Sequence, residues 1–147
     1  DLGLIIIHIP RGGMTQSVLP ERGLLISHLH DQFWSDEYYQ AVQLLRRWKQ
    51  EQGPDWAAAL FAKTDEGCKI NAARRLIKSY FRKTHQLCTR GFLESDDLRQ
   101  HLTMPQRLQM LFEIIEPLER ARTEDYNREM FDFYDHLHGE QLQRPAR

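Results

Sequence analysis

Between residues 14 and 147 the chain shows no sustained alternation of apolar and polar residues; its apolar positions recur three and four apart instead. A strand with one buried face repeats every second residue, and a helix repeats every 3.6. This one feature confines the chain to an all-α fold. No internal repeat at a fixed period occurs, which excludes a solenoid. The reading is a compact antiparallel bundle of about five long and two short helices. It forms a single domain over residues 14–143, with a polar tail at 144–147.

The punctuation supports that reading. Pro20 opens a first helix to Trp34, with Leu24, Leu25, Leu29 and Phe33 on one side. Ser35 is a good N-cap for a second helix to Gln52, with Asp36 and Glu37 in its first turn. Tyr38, Ala41, Val42, Leu45 and Trp48 form its apolar stripe, and Gly53 and Pro54 end it. A short third helix carries Trp56, Leu60 and Phe61 and ends near Lys63. The longest helix runs from about Gly67 to Arg90 on Ile70, Ala73, Ile77, Tyr80, Phe81, Leu87 and Cys88. Gly91 terminates it, and Phe92 is placed to fold back on the last turn. Ser95 caps a short helix to Leu102. Thr103 and Gln106 have capping-box spacing ahead of Leu108, Leu111, Phe112, Ile115 and Leu118. Pro117 lies inside that pattern and should kink or end it. A last helix, Glu124 to Gln141, carries Tyr126, Met130, Phe133, Tyr134 and Leu137.

Residues 1–13 read separately from this domain. They hold the apolar run Leu4–Ile7, then Pro10, Arg11, Gly12 and Gly13 ahead of Met14. Three origins fit: an expression remnant before a native start at Met14, with Pro10-Arg11-Gly12 resembling a thrombin-type cleavage site; the stump of a membrane helix; or an extended arm that docks on a neighbouring chain. The run falls far short of the roughly 20 residues that cross a bilayer.

No catalytic or metal-binding signature stands out. His28 and His30, and likewise His136 and His138, are two apart, so on a helix they face different ways. His85 and Cys88 share a face, but two ligands do not make a metal site, and such neighbours rarely have nucleophile geometry. Cys68 and Cys88 lie at opposite ends of one helix, about 30 Å apart, and cannot bridge. Free thiols suit a reducing compartment. No phosphate loop, dinucleotide fingerprint or di-iron motif is present. The expectation is therefore no catalytic residues, no metal and no cofactor.

Charge placement is more informative. The chain has 20 basic and 21 acidic residues and a net charge of −1, so it is no polycation. Yet Lys69, Arg74, Arg75, Lys78, Arg82, Lys83 and Arg90 fall in a stretch with no acid, while acids crowd residues 113–140. The bland reading is that the acidic helices neutralise the basic one, or that both are solvated. The functional readings are that Arg74, Arg75, Lys78, Arg82 and Lys83 meet another protein or a second copy of the chain, or that they meet nucleic acid or an anionic membrane surface. Phe33, Trp34, Tyr38 and Tyr39 bracket the Ser35 turn. Two of them can pack at the helix junction. Unless the third helix and Trp56 cover the rest, Phe33, Trp34 and Tyr39 mark a contact site.

The segment Ala73–Leu137 resembles a group of small bacterial helical domains of unknown function, often found behind a membrane helix. The resemblance rests on Tyr80-Phe81, on Arg90-Gly91-Phe92-Leu93-Glu94 and on Glu116-Pro117-Leu118-Glu119-Arg120. It extends less closely to Trp34–Leu45 and brings no catalytic residues with it. It implies an interaction role and an anchor outside the domain. The expected function is thus a non-enzymatic adaptor or subunit of a larger assembly, with no evident small-molecule substrate. It would be cytoplasmic, or membrane-associated through a segment missing from this chain. The alternatives are a nucleic-acid or anionic-lipid binder, and an enzyme or cofactor protein with an inter-helix pocket.

Overall fold

The computed structural model describes residues 15–102, 107, 109–129 and 131–132, with side chains from residue 21 onward. Thr103, Pro105, Gln106, Leu108, Met130 and everything before 15 or after 132 lie outside it. So do the leader, the His136 and His138 pair, most of the expected last helix and the tail.

The fold is an all-α antiparallel bundle, with no strand among the described residues. Its helices are α1 (Thr15–Phe33), α2 (Asp36–Gln52), α3 (Trp56–Ala59), α4 (Asp65–Thr89), α5 (Ser95–Gln100) and α6 (Glu116–Arg122). A 3₁₀ turn at Gly53–Asp55 leads into α3, and a π-turn at Leu111–Ile115 leads into α6. Helix α2 packs along α4; α1 lies against α4, and α3 against α6. No helix is long and apolar enough to cross a membrane among the described residues.

Local chemistry fixes the ends. Ser35 accepts the Tyr38 N–H at 3.2 Å, so α2 starts where a cap can satisfy its first donors. Gly53, at φ 62°, closes α2 in a region that disfavours a side chain. Helix α4 starts two residues earlier than expected, because Thr64 caps it by accepting the Gly67 N–H at 3.0 Å. Its far end is a Schellman turn: Gly91 sits at φ 76°, its N–H reaches the Cys88 carbonyl, and the Phe92 N–H reaches the Leu87 carbonyl. The Phe92 ring nevertheless stays exposed, and Leu93 is the residue that goes inside. Glu94, not Ser95, caps α5. It forms a reciprocal box in which Asp97 accepts the Glu94 N–H at 2.7 Å.

Three other expectations need correcting. Helix α1 begins at Thr15, so Pro20 lies within it. Leu24 is exposed, because no described element covers its side of α1. The chain is not helical over 123–128, where a last helix was expected; it loops there so that Tyr126 and Arg128 can reach Glu116.

Pro117 neither kinks nor ends its helix in the ordinary way. Proline has no N–H to give the carbonyl four residues back, and its ring crowds that carbonyl. Here the preceding turn widens: the Glu116 N–H bonds to the Leu111 carbonyl in π register, and α6 then continues to Arg122. The orphaned Glu113 carbonyl instead accepts a hydrogen bond from Lys49 Nζ of α2 at 3.1 Å.

The core follows the stripes. Tyr38, Ala41, Val42, Leu45 and Trp48 of α2 face Ile70, Ala73, Ile77, Tyr80 and Phe81 of α4, and all are buried. Trp56 and Leu60 close one end, with the Trp48 indole donating to the Trp56 carbonyl at 2.9 Å. Leu111, Ile114, Ile115 and Leu118 complete the layer. Several buried charges sit among them and shape the site.

Candidate functional site

The basic face of α4 is not one surface. Arg74 is only 2% exposed and pairs with Glu119 of α6, which is 1% exposed. Its Nε also donates to Asn71 at 2.9 Å. Lys78 donates to the other Glu119 oxygen at 2.6 Å and is half-buried. The expectation that Arg74 offers its charge to a partner is therefore corrected. Arg74 stands four residues after Ile70 and three before Ile77, so helical spacing puts it near the buried face, where α6 lies over it and Glu119 supplies its acid. Burial, then repulsion from Arg74, Arg122 and Arg82, brings the Lys78 ammonium down to about 8. Arg75 and Arg82 remain exposed. Lys83 turns to α1, with Nζ 2.7 Å from His28 Nε2. So the acidic segment neutralises part of the basic one, and no unbroken cationic stripe of the five residues is left to track a polyanion.

A second buried carboxylate, Glu116, holds the C-terminal loop. It accepts from the Tyr126 hydroxyl at 2.5 Å, from Arg128 at 2.8 Å and from Arg120 at 3.0 Å. Burial alone would raise its pKa. The hydrogen bonds from Tyr126, Arg120 and Arg128 outweigh that and hold the carboxyl below its ordinary value.

The clearest recess lies at the α1–α2 corner. Phe33, Trp34, Tyr38, Tyr39 and Val42 wall a groove of about 500 Å³, with Met110 and Arg107 beneath. The aromatics divide as the sequence suggests. Tyr38 is buried and Phe33 half-buried, their ring centres 4.9 Å apart with the planes tilted at 44°. Trp34 and Tyr39 stay 65% and 62% exposed, so the third helix and Trp56 do not cover them. The Phe33 ring meets Trp34 edge-on at 5.3 Å, which fixes the indole at the rim. Arg107 is buried. Its guanidinium lies 3.7 Å from the Phe33 ring centre and donates to the Tyr80 hydroxyl at 2.5 Å. Arg46 and Asp36 stand at the rim.

Of the expected contact residues, the structure thus brings Phe33, Trp34 and Tyr39 together. It leaves Arg75, Arg82 and Lys83 on a separate face and buries Arg74. Sequence reasoning missed Arg107, Arg46 and Met110. Arg107 carries no pattern that separates it from a surface arginine. A further apolar patch, Leu24, Leu25, Leu87 and Phe92, was also missed.

The other chemical candidates do not converge. His28 turns to Lys83, while His30 lies beside Asp31 and the Trp34 ring. Cys68 and Cys88 are both free thiols. Burial, with help from Asp97, pushes the Cys88 thiol up to about 11, so it is protonated near neutral pH and a poor nucleophile. Burial lowers the His85 imidazole, against an opposing pull from Glu129. No group of three potential metal-ligating side chains comes together among the described residues.

Compared with protein-family models, with curated proteins and with solved structures, the chain shows no match.

Proposed function

We propose that this chain is a non-enzymatic interaction domain, an adaptor or subunit, whose contact surface is the aromatic groove at the α1–α2 corner. The observation that carries the reading is the pair Trp34 and Tyr39, both mostly exposed on the rim of a groove floored by Arg107. Tryptophan, tyrosine and arginine dominate the energetics of protein contacts, since each combines a large apolar area with a polar group. The Trp34 indole is backed by the Phe33 ring, so less ordering of that side chain is left for a partner to impose. Arg46 is exposed at the rim and offers a cation to a carboxylate. The fitting partner is a protein segment with bulky apolar side chains and at least one carboxylate.

Selection of a peptide-display library against the whole chain tests this. The enriched peptides should pair a bulky apolar residue with Asp or Glu. Their affinity should fall about ten-fold or more on Trp34→Ala or Tyr39→Ala, and hardly change on Arg75→Ala. Enriched peptides that bind the Trp34→Ala/Tyr39→Ala protein as tightly as the wild type would remove the groove from consideration.

A further inference from the structure

A second recess lies along α4, where it faces the segment after α6. Lys78, Arg82 and Gln86 rise along one side of the helix at helical spacing, and Asn127 stands across from them. The cavity between has a volume of about 280 Å³. That is near the lower end of the roughly 300–1,000 Å³ of small-molecule pockets, room for a compact head group and not a long ligand.

The charge around it is lopsided. Glu119 is consumed by Arg74 and Lys78. Arg82 and Arg122 pair with no acid among the described residues, and both act on the Lys78 ammonium. Glu129 is the single carboxylate among the described lining residues. The neutral groups are arranged too. Asn127 Oδ1 accepts the Glu129 N–H at 2.8 Å, which leaves the amide NH₂ of Asn127 as its donor end. Thr89, also on the lining, directs its hydroxyl proton to the Gln86 carbonyl at 3.1 Å.

We propose that this cavity binds a phosphate-bearing anion, free phosphate or a monoester head group, with Lys78 and Arg82 supplying the charge and Asn127 and Gln86 the amide donors. A carboxylate has two oxygens in one plane. Here cationic and neutral donors come from two walls, an arrangement that suits the three terminal oxygens of a tetrahedral group. A bound dianion also relieves the repulsion among Lys78, Arg82 and Arg122. The site is independent of the aromatic groove.

Isothermal titration calorimetry of the whole chain with inorganic phosphate and with glycerol phosphate, at constant ionic strength, tests the proposal. Co-sedimentation with phosphatidylcholine vesicles, with and without phosphatidic acid, is run in parallel. Binding should weaken about ten-fold or more in Arg82→Ala and by a smaller factor in Asn127→Ala. It should persist in Arg75→Ala, which removes an exposed cation outside the cavity. Arg82 and Asn127 are exposed, so both variants keep the core, and thermal melts confirm it. Heat from the soluble phosphates assigns a soluble ligand. Binding confined to phosphatidic-acid vesicles, with the same Arg82 and Asn127 dependence, assigns a lipid head group. Absence of binding in both arms, or an equal loss in Arg75→Ala, overturns the site.

Discussion

At the scale of single residues, the molecule is marked by carboxylates that work inside it. Glu116 is buried with three donors on its side chain and is held below its ordinary pKa of 4.5. The folded chain therefore releases this proton more readily than the unfolded chain. Its stabilisation is complete above the unfolded value and drains away as pH falls through the lower, folded value. Denaturant titrations at pH 7 and across the acid range should show a stability loss that begins as the pH falls toward 4.5. In Glu116→Gln that component should vanish, and stability at pH 7 should drop by about 2–4 kcal/mol, since Arg120 and Arg128 then lose their charged acceptor. An unchanged acid limb in the variant would show that another carboxylate governs it. None of this is visible as pattern: periodicity counts Glu116 as one more acid in an acidic stretch, and only a packed neighbour reveals that it lies inside.

At the scale of elements, what a helix needs locally was legible and what a partner supplies was not. The apolar stripe of α2 predicts all five of its buried residues, and Ser35 caps it as its chemistry requires. Gly91 closes α4 for the same local reason. The first turn of α4 was misplaced because Gly67 looks like a start, while the real cap, Thr64, precedes Asp65 and Glu66. The π-turn before α6 depends on a distant lysine. Pro117 withholds an N–H from the Glu113 carbonyl, and Lys49 takes that acceptor. These two residues should be coupled. Lys49→Met should cost about 1 kcal/mol in the native sequence, a typical hydrogen bond to an exposed charged group. It should cost clearly less in Pro117→Ala, where a backbone N–H is restored to compete for the same oxygen. A double-mutant cycle from thermal or urea melts measures the difference. Strict additivity would mean that the lysine contact does not depend on the proline.

At the scale of the whole molecule, α6 is fastened to α4 by one buried acid. Glu119 answers both Arg74 and Lys78, and removing it strands a cation that is 2% exposed. Glu119→Ala should lower global stability by about 3–5 kcal/mol in urea melts, whereas Arg74→Met with Glu119→Leu, a pair of apolar residues in place of the ion pair, should lose much less. An equal loss in both would mean that packing volume, and not the stranded charge, sets the cost. The overall class was readable because the helical period runs through the whole body of the chain. The site was half readable. The aromatic corner announced itself by crowding Phe33, Trp34, Tyr38 and Tyr39 around a cap. The basic face misled because the acid that neutralises Arg74 lies 45 residues downstream.

That distance matters to a chain made in one direction. A ribosome releases α1 to α4 before any of the residues that answer their inward charges. Arg74 waits for Glu119, 45 residues later, and the Tyr80 hydroxyl waits 27 residues for Arg107. Until then the nascent helices carry a cation on the surface they will later bury. Water has to stay there, and the half-made bundle cannot shut prematurely. The last third of the chain acts on the growing protein as a latch that arrives late.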